Sequence, residues 1–151
     1  MPVLEPLSTL PNHPVALVYL EETEQAYQVE MVDTVRVGPG YRLSSIPFFA
    51  KHVALHDMVS VETDEGVHYF EDLLVKSGHS VVRVLFGAES TRQTCTAVVE
   101  QLGAVGFQYA DSLLVAFDIP PSVPYPPIQR VLANGESQQL WEYEEACLGW
   151  K

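Results

Sequence analysis

The stretch YRLSSIPFFAKHVALHDMV, residues 41–59, combines apolar bulk with unusual polar residues more closely than any other part of the chain. It holds an Ile-Pro-Phe-Phe segment, two histidines and an acid. Pro47 has no backbone N–H, so a strand that starts at Tyr41 has to end its ladder at this proline. The segments on either side alternate as strands do. We therefore interpret residues 41–59 as the centre of the fold and assign the rest of the chain outward from it.

The residues around this stretch predict short strands joined by turns. Residues 26–37 alternate with period two, and Tyr27, Val29 and Met31 share one face, which indicates a half-buried strand. Further strand candidates are the segments ALVYL, MVSVE and VHYFEDLLV, residues 16–20, 58–62 and 67–75. Glycine-containing turns separate them. This pattern predicts a small antiparallel β-barrel or curled sheet over residues 14–76, after an irregular arm over residues 1–13.

The second half of the chain has a clearer pattern. An apolar strand, VVRVLF, precedes a helix with Cys95, Val98, Val99 and Leu102 on one face. A hairpin, a second helix and a final alternating strand follow. The element order is β-α-β-β-α-β, which is the ferredoxin-like arrangement, and we assign it to residues 77–151. The predicted fold class is therefore α+β, with a small β subdomain followed by a ferredoxin-like subdomain.

The charge balance limits the classes of partner. The 151 residues include 20 acids and 8 bases, for a formal net charge of −12. Such a chain lacks the clustered Lys and Arg that nucleic acid or an anionic membrane requires. No Lys or Arg precedes Arg36. The acids are explained either by solubility alone or by a basic protein partner that the field steers in.

The sequence predicts a cytoplasmic protein without metal or cofactor. Its N-terminus lacks the basic and apolar regions of a signal peptide, and no apolar run is long enough to span a bilayer. Cys95 and Cys147 form no C-x-x-C pair, so we expect reduced, buried thiols. His52 and His56 have the i, i+4 spacing that binds zinc on a helix, followed by Asp57, but Pro47 and the nearby strands disfavour a long helix here.

The final strand is the candidate interaction surface. Aromatic and acidic residues alternate along it, which suits protein contact by side chains or by strand addition. The proposed members are Trp141, Glu142, Tyr143, Glu144 and Glu145, together with the loop acids Asp64 and Glu65. The alternative is that these acids only keep an edge strand from aggregating and the loop acids are solvated.

A possible pocket lies at the joint of the two halves, near Ser77-Gly78-His79-Ser80. Its predicted members are His52, Asp57, His79 and Arg83. His79 beside Ser80 has the residue types of a base and a nucleophile, but neighbours on a strand point to opposite faces, so we expect no catalytic residues. Arg83 is the only charge in VVRVLF and should pair with Glu142 or Glu144 on the adjacent strand.

Three ordered motifs resemble a known bacterial family. They are Tyr41-Arg42-Leu43 with Ile46-Pro47-Phe48-Phe49-Ala50, then Ser77-Gly78-His79-Ser80 with Arg83-Val84, and last Trp141-Glu142-Tyr143-Glu144-Glu145-Ala146-Cys147-Leu148. They are similar to the bacterial domain of unknown function family 4265, and the resemblance runs over roughly residues 13–151. It implies a small bacterial protein with no assigned reaction. Family members often have glycine where this chain has His56, which weighs against a role built on that histidine.

Together these features predict a non-catalytic acidic binding protein. The specific hypothesis is an immunity or antitoxin-type protein that neutralises a basic toxin or effector by covering its active site. One alternative is a regulatory module that binds a small ligand between the two halves, which rests on fold analogy. Another is a metal-dependent hydrolase that uses His52, His56 and Asp57. No pattern in the sequence decides the oligomeric state.

Overall fold

The computed structural model describes residues 13–151, so nearly all of the predicted irregular arm lies outside the described residues. This part of the chain contains ten strands and two helices. The strands form one six-stranded sheet and one four-stranded sheet. The mixed α+β class that the sequence predicts is therefore confirmed.

The first sheet is open. Its strands are β1 Val15–Glu21, β2 Ala26–Val32, β3 Thr34–Val37, β4 Gly40–Leu43, β5 Met58–Asp64 and β6 Val67–Val75. Their order across the sheet is β2-β1-β6-β5-β4-β3, so β2 and β3 are the two edges and the sheet does not close into the predicted barrel. All the pairs are antiparallel except β1 and β6, which run parallel. A parallel pair needs a long crossover, and the chain from β2 to β5 supplies it.

The predicted strand over residues 26–37 is two strands with a break at Asp33. The face that carries Tyr27, Val29 and Met31 is the exposed one, since these side chains are 76%, 53% and 51% exposed. The opposite face of β2 turns inward with Glu30 and the buried Val32. Period-two alternation shows which residues share a face, but tertiary packing decides which face is covered.

The second sheet contains the remaining strands, and both helices lie between these strands along the chain. The elements are β7 Ser80–Phe86, α1 Glu89–Gln101, β8 Val105–Gln108, β9 Leu114–Ile119, α2 Pro126–Ser137 and β10 Trp141–Cys147. The sheet order is β10-β7-β9-β8, with every pair antiparallel. The apolar strands β7 and β9 lie in the centre. Both helices pack on one face, where Val99, Ile128 and Leu132 join Val84 and Phe117 in the main core.

Helix α2 continues past Gly135 to Ser137. This glycine is buried, and a Cβ atom at its position would lie 1.8 Å from the ring of Trp141. The indole N–H of Trp141 donates to the carbonyl of Leu132 at 2.9 Å. Gly135 therefore permits the close approach of β10 to α2 and does not cap the helix.

Residues 44–57, between β4 and β5, form neither helix nor strand. We call this segment the central loop. It covers the face of the second sheet that the helices leave open. Ile46 and Ala54 pack there with Val81, Ala116 and Ala146 in a separate small core. Because alternate residues of a strand point to opposite faces, β7 contributes Val81 to this core and Val82 to the helical one. The segment that the sequence marks as central therefore joins the two sheets.

Candidate functional site

Arg83 holds the central loop from the side of the second sheet. It lies in β7 directly opposite Glu144 of β10, and its side chain is only 2% exposed. Its Nε–H donates to Glu144 Oε1 at 2.8 Å. Of the two acids predicted as partners of Arg83, Glu144 is therefore the one that binds it. The Nη atoms of Arg83 donate to the carbonyls of Ala50 at 2.8 Å and Phe49 at 3.1 Å.

Glu30 holds the same loop from the side of the first sheet. Its carboxylate accepts the backbone N–H groups of Phe48, Phe49 and Ala50 at 2.6, 3.0 and 2.9 Å. Successive N–H groups that converge on one anion form a small backbone nest. The amides of the loop are thus bound by one sheet and its carbonyls by the other. Sequence reasoning missed Glu30, because the period-two pattern of β2 does not show which of its faces turns inward.

A cleft of about 640 Å³ opens beside this loop, between the two sheets. Its walls come from the first sheet, the central loop and the second sheet. The lining residues are Tyr19, Leu20, Glu21, Glu22, Thr23, Phe48, Phe49, Lys51, Arg83, Leu85, Leu114, Glu142, Tyr143 and Glu144. The volume falls within the range of small-molecule and side-chain pockets.

The cleft is acidic. It is lined by four carboxylates and only two cations; the carboxylates are those of Glu21, Glu22, Glu142 and Glu144. One of the cations, Arg83, is buried, and its Nη atoms bind carbonyls of the central loop. Backbone N–H bonds, first from Glu24 and also from Thr23, lower the pKa of Glu21 and keep it ionised. The pKa of Tyr19 is raised by burial and then by the charges of Glu30 and Glu21, so its hydroxyl stays neutral.

Lys51 is the second cation of the cleft, and it lies between the two walls. Its Nζ is 3.6 Å from Glu144 Oε2 and 4.0 Å from Glu22 Oε1. Both are loose ion pairs, and all three side chains are largely exposed.

Aromatic rings form the side of the cleft nearest the loop. Tyr19 and Phe49 stack with centroids 5.9 Å apart and planes at 17°. Tyr109 contacts Phe49 and Phe48 with centroid distances of 5.0 and 5.2 Å. Because each ring is fixed by a neighbour from a different element, the wall is preformed.

The structure divides the predicted interaction surface. Glu142 and Glu144 line the cleft, and Tyr143 borders it while its side chain packs against the helical core. Trp141 and Glu145 face helix α2 instead, where Glu145 accepts the hydroxyl of Tyr125 at 2.6 Å. Burial, followed by the hydrogen bond to Glu145, raises the pKa of Tyr125.

Asp64 and Glu65 lie at the turn between β5 and β6, outside the cleft lining.

The residues predicted to form a pocket at the joint of the two halves do not all lie in one site. Arg83 lines the cleft, whereas His52, Asp57 and His79 do not. Asp57 is 2% exposed and accepts the N–H groups of Ala54 at 2.9 Å and Ser77 at 2.8 Å, which ties the central loop to the joint.

His79, a predicted member of the joint pocket, bonds to an acid. His79 Nδ1 lies 2.8 Å from Asp118 Oδ1, and the ring of His56 contacts the ring of His79 at a centroid distance of 4.9 Å. Burial, followed by the charge of His79, lowers the pKa of His56.

His52 and His56 lie on a loop, not on a helix, with φ of +73° and +70°. The i, i+4 geometry that places two histidines on one metal therefore does not occur. Within residues 13–151, no group of three or more His, Cys, Asp and Glu residues is positioned to hold a metal ion. The φ of His56 lies in the left-handed region, which favours glycine.

The fold and the cleft define a mixed α+β protein whose joint is made by one central loop. Residues 30–143 match the sequence profile of the family described as Domain of unknown function (DUF4265). The chain therefore belongs to this family, as its three motifs predict. The match is shorter than the expected residues 13–151, but it includes Glu30, the central loop and Arg83.

A solved structure shares the fold. It is described as the novel crystal structure of a hypothetical protein from Neisseria gonorrhoeae, and it has a TM-score of 0.82 to this chain. The two are 20% identical, and the likeness covers 93% of this chain and 97% of that chain. No curated protein matches the sequence. None of the helices between residues 13 and 151 has the length and apolarity to cross a membrane.

Proposed function

We propose that this protein is a non-catalytic binding protein that takes a basic segment of a protein partner into the acidic cleft. The supporting observation is the composition of the cleft. Four glutamates line it beside preformed aromatic walls, while the buried Arg83 is engaged by Glu144 and the central loop. Such a surface attracts Lys and Arg side chains by charge and holds their apolar stems by contact.

The charge of the whole chain supports the same partner chemistry. A net charge of −12 steers a basic protein toward the molecule and raises its association rate at low salt. We infer an immunity or antitoxin-type role, in which the partner is a basic toxin or effector and docking covers its active site. The carboxylates would then take the place of the phosphates that such a partner binds.

We also infer that the second half is a ferredoxin-like subdomain over residues 77–151, after a β subdomain over residues 14–76. The strand order β10-β7-β9-β8 with two helices on one face supports this assignment. In this arrangement β10 is an edge strand, which makes Glu142 and Glu144 accessible. A cytoplasmic location is consistent with two free cysteines, Cys95 and Cys147.

The direct test is recovery of the partner with a tagged protein from its native host at low salt. Leu85 is an exposed residue on β7 that faces the cleft, so the variant L85R places a cation in the cleft with little effect on the core. Val98 is an exposed residue on α1, and V98R makes the same charge change away from the cleft.

We expect one basic protein, released by salt, with the wild type and V98R. With L85R its recovery should fall by about tenfold or more, since an unpaired charge at a contact costs more than about 1.4 kcal/mol. Equal recovery with both variants would show that the cleft is not the binding site. Toxicity of the partner when expressed alone would establish the immunity role.

A second candidate function is binding of a small ligand in the same cleft. Its volume of about 640 Å³ and its position between the two halves favour this alternative. A metabolite screen by thermal shift would detect it as a saturable rise in Tm that L85R abolishes and V98R retains. No saturable ligand among cationic and aromatic metabolites would reject it.

A further inference from the structure

We propose that Glu22 and Glu144 form a subsite for one basic side chain of the partner, and that Lys51 occupies this subsite in the free protein. This inference rests on the proposed binding function and identifies the part of the cleft that binds the cation of the partner. It makes Lys51 an internal competitor of the partner.

The two carboxylates come from opposite walls. Glu22 lies in the turn between β1 and β2 of the first sheet, and Glu144 lies in β10 of the second. The Lys51 ammonium is 4.0 Å from one and 3.6 Å from the other. A cation between these acids therefore bridges the mouth of the cleft, and the chain itself supplies one when no partner is present.

Glu144 is preorganised for this role. Arg83 binds its Oε1 atom at 2.8 Å, while Lys51 faces its Oε2 atom. The buried guanidinium fixes the carboxylate and leaves one oxygen directed toward the cleft. A group that is held in place before binding loses little conformational entropy when the partner arrives.

Lys51 is held too weakly to remain when a better cation competes. Its ion-pair distances exceed the roughly 2.7–2.9 Å of a charge-assisted hydrogen bond. The side chains of Lys51, Glu22 and Glu144 are 46%, 80% and 47% exposed, so water screens both pairs. Displacing Lys51 therefore removes little stabilisation.

The stacked rings of Tyr19 and Phe49 favour an arginine of the partner over a lysine. Both rings line the cleft, and a planar guanidinium stacks on an aromatic face while it donates two parallel hydrogen bonds to a carboxylate. An ammonium such as that of Lys51 makes neither contact as well.

Binding of a fluorescein-labelled hexa-arginine peptide, followed by fluorescence anisotropy at low salt, tests the internal competitor. K51Q should bind the peptide about threefold to fivefold more tightly than the wild type, since it removes the competing cation and its exposed ion pairs are worth at most about 1 kcal/mol. R130Q is the matched control, because Arg130 is an exposed cation on α2 outside the cleft. It should change the affinity by less than about twofold, as a screened distant charge does.

The acids of the β1–β2 turn provide the opposite test. Glu22 lines the cleft and Glu24 does not, although both are exposed in the same turn. E22Q should weaken peptide binding by about threefold, and E24Q should not. Both variants remove one exposed charge, so neither should prevent folding.

The outcomes distinguish this inference from the proposed function. If wild type binds hexa-arginine and L85R abolishes binding, but K51Q equals R130Q, only the subsite is refuted. If wild type does not bind, or if L85R and V98R bind equally, both proposals fail. Tighter binding of free spermidine than of hexa-arginine would assign the subsite to a small polyamine and overturn the protein partner.

Discussion

Two cations meet the carboxylate of Glu144, and they differ in almost every physical respect. Arg83 is buried, bonds Oε1 at 2.8 Å and also binds two carbonyls of the central loop. Lys51 is 46% exposed and lies 3.6 Å from Oε2. Arg83 therefore stabilises the fold, whereas another cation can replace Lys51. Burial and geometry, not charge, separate the part of this region that joins the sheets from the part that we propose as the binding site of a partner.

The energies expected for the two pairs differ accordingly. Removing Arg83 leaves Glu144 47% exposed and open to water, but it leaves the loop carbonyls of Phe49 and Ala50 without a donor, and a buried unsatisfied acceptor typically costs about 1–3 kcal/mol. An exposed pair contributes about 0–1 kcal/mol. Substitutions at Arg83, Lys51, Glu30 and His56 sharpen this comparison.

The largest effect is expected for R83M. This change leaves the carbonyls of Phe49 and Ala50 without donors, so the free energy of unfolding should fall by about 2–4 kcal/mol. K51M removes the other cation and should change it by less than about 1 kcal/mol. Urea unfolding of both variants measures the difference. Similar losses in the two would contradict the division between a structural and a replaceable cation.

The next effect is expected for E30Q. The carboxylate of Glu30 accepts three backbone N–H groups, whereas an amide presents one oxygen and two donors to the same nest. We expect a loss of about 2–3 kcal/mol in urea unfolding, with faster hydrogen exchange at Phe48, Phe49 and Ala50. E24Q is the control and should stay within about 0.5 kcal/mol of the wild type. Unchanged stability in E30Q would show that the nest does not hold the loop.

The smallest effect is expected at His56. H56G removes the strain of a side chain at φ +70°, which should raise stability by about 0.4–1 kcal/mol near pH 8.

The same histidine gives a pH dependence. Because burial lowers the pKa of His56 in the folded protein, the unfolded chain binds its proton more tightly. The wild type therefore loses stability as the pH falls through the unfolded value of about 6.5, and the advantage of H56G should grow below it. H56Q removes the titration but keeps the strained backbone, so it should show only the pH effect. Parallel curves for the wild type and both variants would reject this account.

Much of the fold could be predicted from local pattern. Apolar periodicity, Pro47 and a lone charge in an apolar strand predict the strands of both halves, the central place of residues 41–59 and the pairing of Arg83 with an acid of the last strand, Glu142 or Glu144. The break at Asp33, the exposed face of β2 and the open first sheet could not. They depend on which elements cover which face, and that is a tertiary property.

Only some of the residues of the candidate site could be predicted from the sequence. Period-two alternation along β10 separates Glu142 and Glu144 from Trp141 and Glu145, so that division could have been predicted. Glu30 and Tyr19 could not be placed, because their partners are more than 15 residues away along the chain. Asp64 and Glu65 were included for their charge alone, and charge does not determine proximity.

The most direct test of the acidic cleft is a map of backbone amide chemical shifts during titration with hexa-arginine peptide. We predict saturable changes that concentrate in three segments of the cleft wall, residues 19–23, 48–51 and 142–144. The turn at Asp64 and Glu65, equally acidic but outside the cleft, should change little. Equal changes at that turn and in the cleft would show that the peptide reads only the overall charge, and would contradict a specific site between the two sheets.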